Sequence, residues 1–261
     1  MALQPDYRYG SAPGWGRGAA VDAAAIDAGL RAYMLRVYNW MASGLLLTAI
    51  VAYAISSVPE VRGLFFEVVR TPRGLATAPK ILGWVAMFAP LVFVLVLSFG
   101  INRISKTTAQ ALFWGFCAAM GASMSSIFVM YTSTSIAGTF FATSGMFAAM
   151  SIWGYTTGRD LSKMGSIMMM GLIGIIIASL LNIWLASPAL AFAVSIIGVV
   201  VFCGLTAWDT QRIKNDYVEF SYAEGTDEAG KRSVMDALGL YLNFVNLFQI
   251  LLQFMGVRNQ E

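Results

Sequence analysis

Residues Ala189–Trp208 read ALAFAVSIIGVVVFCGLTAW, an apolar run without a single charge, and the residue that follows is Asp209. About 20 mostly apolar residues are what a helix needs to cross a bilayer core, where no water satisfies backbone N–H and C=O groups. Runs of the same kind precede it at Val37–Ser56, Ile81–Ser98, Ala109–Thr132, Ile136–Tyr155 and Met164–Ala186, and a more polar seventh run covers Asp236–Met255. Almost every charge lies in a connector or in the N-terminal segment. The expected fold is all-α, a polytopic membrane protein of seven transmembrane helices embedded in the lipid bilayer.

Composition points the same way. Soluble domains are about 45–50% apolar and about 25% charged, whereas this chain of 261 residues is 58% hydrophobic and 12% charged. The net charge of +3 is small, and its basic residues are not interleaved with aromatics on one face, so no nucleic-acid partner is expected. Histidine is absent, which removes the commonest general base, zinc ligand and neutral-pH switch. Any proton sensing must use carboxylates. Cys117 and Cys203 both fall inside apolar runs and are expected to pack rather than to pair or bind metal. No cofactor is expected.

Residues 1–30 form an expected flexible cytoplasmic tail, 31–257 the seven-helix domain and 258–261 a C-terminal tail. No short apolar core with a small-residue cleavage site opens the chain, which argues against a cleaved signal peptide. A connector with Pro59, Glu60, Arg62, Glu67, Arg70, Pro72 and Arg73 follows the first run, and Asp209–Met235 is the expected long polar loop. Lys and Arg favour the cytoplasmic side. With the N terminus inside, that side receives Arg8, Arg17, Arg31, Arg36, Arg103, Lys106, Arg159, Lys163, Arg212, Lys214, Lys231 and Arg232. The other receives Arg62, Arg70, Arg73, Lys80 and Arg258, so twelve face five. The seventh run is either a full span or a re-entrant segment.

Gly138 with Ala142, Gly145 with Ala149, and Gly174 with Ala178 and Asn182 have the four-residue spacing that allows close helix approach in lipid, which predicts a tight bundle. The adjacent Met168, Met169 and Met170 point in different directions on a helix and read as packing or lipid-facing residues.

Ionisable groups within spans are costly and usually face a bundle interior, paired with something. Asp209 and Asp236 are the candidates. Asp236, Asn243, Asn246 and Gln253 fall within a sector of roughly 100° on the last helix, so that helix is expected to turn its polar stripe away from lipid and stand near the centre. Asp209 admits two roles on spacing alone. With Asn243 and Asn246 it can line a cation pathway and offer oxygen to Ca²⁺, which takes about six to eight such ligands. Alternatively it anchors a helix end and pairs with Arg212 or Lys214. Asp160 is expected to cap the fifth helix. Asp216, Glu219, Glu224, Asp227 and Glu228 lack the regular oxygen spacing of a Ca²⁺ loop and read as solvated.

Three segments carry a family resemblance: Tyr155-Thr156-Thr157-Gly158-Arg159-Asp160-Leu161-Ser162-Lys163-Met164-Gly165, Trp208-Asp209-Thr210-Gln211-Arg212-Ile213-Lys214, and Ala237-Leu238-Gly239-Leu240-Tyr241-Leu242-Asn243-Phe244-Val245-Asn246-Leu247-Phe248. Tyr131-Thr132 followed by Ser135-Ile136-Ala137 adds to them. Together, over roughly residues 30 to 257, they resemble the Bax inhibitor-1/YccA-like family, in a bacterial member. The resemblance implies a central last helix surrounded by the other six, the bacterial cytoplasmic membrane, and a pH-sensitive Ca²⁺ leak with a proton-sharing pair of aspartates. Asp209 matches the first aspartate, while Asn243 stands where the second belongs. Two like carboxylates titrate as a coupled unit, whereas an amide has no proton to lose, so a weakened pH response is expected. Some bacterial members imply a different class, an interaction protein that regulates a membrane protease or another membrane protein. An enzyme is not expected: the chain has no H-E-x-x-H, and an aspartyl site would need the acid that Asn243 replaces.

Overall fold

The computed structural model describes residues 15–71, 74–100, 103–220 and 226–259. Arg8, Pro72, Arg73 and Glu224 of the sequence expectations lie outside them. In chain order the elements are α1 (Trp15–Ser57), α2 (Pro59–Phe65), β1 (Phe66–Thr71), β2 (Gly74–Pro79), α3 (Ile81–Gly100), α4 (Lys106–Met130), α5 (Ser133–Thr156), α6 (Ser162–Leu185), α7 (Pro188–Phe220) and α8 (Thr226–Met255). All helices but α2 are long and apolar enough to cross a membrane. Helix starts follow local chemistry: the hydroxyls of Ser105 and Thr132 accept the N–H groups of Thr108 and Ser135, satisfying donors that the first turn leaves unpaired.

Helix α8 occupies the centre. Helices α1, α4, α5 and α7 pack directly on it, while α3 leans mainly on α4 and α6 mainly on α7. The last helix is therefore ringed by four helices with two outriders, a correction to the expected ring of six. The outriders carry the apolar surface that lipid must cover, such as Phe99, Ile183 and Trp184. Tyr241 shows why α8 is central. Its ring is fully buried against Phe113 and Phe116, at centroid distances of 6.4 and 5.2 Å. Its hydroxyl lies 2.7 Å from Thr48 Oγ1, which itself donates to the Cys117 carbonyl, so Tyr241 is the donor. In hydrocarbon that O–H would have no partner.

The extramembrane parts differ most from expectation. The connector after α1 folds into α2 and an antiparallel hairpin with Phe66 opposite Pro79 and Thr71 opposite Gly74. The expected loop Asp209–Met235 is mostly helix: α7 continues to Phe220 and α8 starts at Thr226. The cause is an apolar stripe that outlasts the membrane run, with Ile213 fully buried and the Tyr217 ring 5.0 Å from that of Tyr33. Asp216 and Glu219 thus stand on a helix, and Asp227 and Glu228 in the first turn of the next. Helix α1 likewise begins at Trp15, inside the segment read as a tail, and Leu30 is already buried. At the other terminus Asn259 N–H bonds the Met130 carbonyl, tying the chain end to the α4–α5 connection. Helix α8 is continuous over 30 residues, which makes the seventh run a helix long enough to span, about 45 Å at 1.5 Å per residue.

The small-residue pairs are a second correction. A side chain added at Gly138, Gly145 or Gly174 would meet open space, so these glycines face outward. Close approach occurs elsewhere, at Gly154 against the Ala207 backbone and at Gly121 against the Thr48 carbonyl. A four-residue spacing identifies a stripe but not the direction it faces. Gly154→Ala is therefore expected to destabilise by about 1–3 kcal/mol, since backbone cannot yield to the new methyl. Gly145→Ala should be neutral, and thermal unfolding of both variants in detergent checks the contrast.

Candidate functional site

The site lies where α7 and α8 leave the membrane core, at the end of the bundle that holds the α5–α6 connection. The motif Trp208 to Lys214 is positioned by α7, and nearly every residue in it has a job. Gln211 accepts the Leu161 N–H and donates to the Arg159 carbonyl, both at 2.8 Å, clamping the α5–α6 connection. Thr210 donates to the Thr206 carbonyl, and Gly165 of α6 leaves room for the Trp208 ring. Lys214, expected beside Asp209, instead donates to the Tyr155 carbonyl at 2.9 Å and sits over the Tyr155 ring.

That leaves Asp209 to two donors. Arg212 Nη2 approaches Oδ1 at 3.0 Å, and Asn243 Nδ2 donates to Oδ2 at 2.6 Å. Asp209 and Asn243 are 8% and 6% exposed, so the contact between α7 and the central α8 is a buried one. The Arg212 guanidinium lies beside Gly239 of α8. Its plane also lies over Trp208, 5.2 Å from the ring centre, and its Nε is buried without a hydrogen-bond partner among the described residues.

Two turns before Asn243, Asp236 is equally buried and accepts from the Tyr33 hydroxyl at 2.7 Å. Arg212 and Arg232 are within electrostatic reach of it. Tyr33 was not singled out by sequence. Its signal is the α1 stripe Leu30, Tyr33, Met34, Val37 and Met41, all buried and starting before the apolar run does. Asn246 is half-buried and makes no side-chain hydrogen bond among the described residues. Gln253 is exposed at the hairpin end, in a polar recess between α4, α7 and α8 with Ser195 and Gln249. The expected polar stripe thus runs from a buried pair at one end to an open recess at the other.

Chemically, both oxygens of Asp209 are engaged, so a cation reaching it must displace Arg212 or Asn243. Among the described residues no three carboxylates or thiols converge as a metal cage. Asp160 sits outside the membrane segments and accepts the Ser162 N–H at 2.9 Å. Bonding from Ser162, followed by the charge of Lys163, holds its carboxyl below the usual carboxylate range. Its hold on the start of α6 is accordingly present at neutral pH and is lost as acid carries the pH down through the usual carboxylate range and past the lowered one.

A family model described as "Inhibitor of apoptosis-promoting Bax1" matches residues 30–260. The chain belongs to the Bax inhibitor-1 family. It is 47% identical to the inner membrane protein YbhL of Escherichia coli over 231 residues, 88% of this chain and 94% of that one. A protein of Rickettsia prowazekii, RP147, is 49% identical over 233 residues, covering 89% and 92% of the two chains. A Caulobacter vibrioides protein is 46% identical over 247 residues, covering 93% and 96%. The family match spans all seven long helices and both halves of the Asp209–Asn243 contact. In this Bax inhibitor-1 family member, the seven apolar helices are those of a multi-pass membrane protein.

Proposed function

We propose that this protein is a cation leak channel, with Ca²⁺ as the favoured ion, and that Asp209 with Asn243 and Arg212 forms its latch. The observation that carries this is the buried 2.6 Å bond from Asn243 to Asp209, which joins the central helix to the helix beside it. A carboxylate held by one cation and one amide inside a bundle is costly to bury. It has a use if release of those donors opens a charged path. The half-buried Asn246 and the polar recess around Gln249 and Gln253 continue the line of hydrogen-bonding groups along α8.

The membrane is the bacterial inner membrane, by likeness to YbhL, and the N terminus is inside, as the distribution of basic residues favours. The protein carries out no covalent chemistry. Having one carboxylate in the latch instead of two, it responds weakly to pH.

Reconstitution into vesicles holding a Ca²⁺ reporter tests the proposal. Purified protein should raise Ca²⁺ leak above that of protein-free vesicles, and a chain lacking residues 1–14 should leak equally. No leak from either, with loss of a partner's regulation on removing that segment, would favour an interaction protein of the protease-regulating kind.

A further inference from the structure

The ring around α8 has a gap. Helix α1 packs on α4 and α7, and α5 on α7, but α1 and α5 are not a packed pair. Between them lies a groove of about 940 Å³, and a hollow of about 390 Å³ extends it toward the hairpin end, with Leu45, Ala49, Phe140 and Phe244 in both walls. From Arg31 to Ala52 the lined stretch of α1 is about 31 Å long at 1.5 Å per residue, close to the thickness of the hydrocarbon core. Leu35, Leu46 and Ile152 on its rim are exposed, so it opens sideways into lipid.

The wall is mostly apolar, with scattered hydroxyls such as Thr48, Ser133 and Ser144, and is charged at one end only. There Arg31 stands at the mouth, and Tyr155 closes the side with Lys214 stacked behind its ring. Beside them is Ser151, 7% exposed, whose Oγ is buried without a hydrogen-bond partner among the described residues. Ser and Thr on the same helix, Ser144 and Thr156, donate to carbonyls four residues earlier. Ser151 does not, and an unmet buried hydroxyl is costly.

We propose that this groove binds an anionic glycerophospholipid taken from the surrounding leaflet. The phosphate lies by Arg31, an ester carbonyl accepts from Ser151 Oγ once that hydroxyl turns from its buried position into the groove, and an acyl chain runs past Met41, Leu45 and Ala49 to Phe244. A ligand with one charged end and one long apolar body matches a groove with cations and a free hydroxyl at one end and mostly hydrocarbon elsewhere. Phe244 follows Asn243 in the chain, so the bound lipid touches α8, the helix whose Asn243 bonds Asp209 of α7.

The test is binding, independent of flux. Protein in detergent is offered phosphatidylglycerol or phosphatidylethanolamine of identical chains, and retained lipid is read by native mass spectrometry. Phosphatidylglycerol should be retained about fivefold better, the effect of one basic residue beside an anionic lipid. Arg31→Gln should erase that preference, and Ala148→Trp should lower retention of both lipids by filling the groove. Ser151→Ala should weaken both by about two- to fivefold. Equal retention of the two lipids by the parent, or a preference that survives Arg31→Gln, would overturn the proposal. So would glycerol phosphate binding as tightly as the whole lipid, or an Ala148→Cys chain that crosslinks to a second copy in membranes.

Discussion

Asn243→Asp is expected to convert a leak that varies little with pH into one that changes about tenfold or more between mildly acid and mildly alkaline conditions. Asn243 Nδ2 lies 2.6 Å from Asp209 Oδ2, so the substitution sets two carboxylates in contact. At low pH they share a proton and the helices stay joined. As pH rises the proton is lost, and two like charges about 4 Å apart repel by roughly 4 kcal/mol at an effective dielectric of about 20. A neutral hydrogen bond contributes about 1 kcal/mol, so repulsion wins and α7 parts from α8. Flux and preference for divalent over monovalent cations should both rise with pH. A flat profile in the variant would show that the Asp209–Asn243 contact does not control the path.

The second large effect is expected at Arg212. Arg212→Met keeps an apolar stem over Trp208 but removes the charge beside Asp209, leaving a buried carboxylate with one amide donor. Removing one partner of a fully buried ion pair costs about 3–5 kcal/mol. The Arg212 side chain is 40% exposed, so water relieves part of this and a loss of about 2 kcal/mol is expected. Stability should largely return in Arg212→Met with Asp209→Asn, because the stranded charge is gone, and a double-mutant cycle by thermal unfolding measures that coupling. The single variant should also leak more, since Asp209 is freed to attract cations.

The spans were legible because hydrocarbon imposes one rule on every residue that crosses it, and the runs from Val37 to Trp208 obey it. The centrality of α8 was legible too, through a polar stripe that lipid cannot accept. What escaped notice lies where water removes that rule. Past Trp208 the helix is continued by Ile213 and Tyr217 packing on neighbours, a signal carried by spacing rather than by mean polarity. The hairpin at Phe66–Pro79 is too short and too mixed in composition to stand out. Within the site, spacing already held the answer for the cation: Arg212, three residues from Asp209, shares its helix face, whereas Lys214, five residues away, points elsewhere. The outward direction of Gly138 and Gly145 depends on which neighbours α5 has, and Tyr33 on how α1 meets α8. Neither can be read from one helix alone.

Vesicles loaded with a Ca²⁺ reporter and carrying equal amounts of folded parent or Asp209→Asn protein test the central claim most directly. The substitution keeps the shape of the side chain and its contact with Asn243 but breaks the ion pair with Arg212, so cations entering the loosened latch meet an unpaired guanidinium instead of a carboxylate. Leak through the Asp209→Asn protein should fall about tenfold, the loss of roughly 1.4 kcal/mol of attraction at the latch. Equal leak in the two preparations would contradict the account.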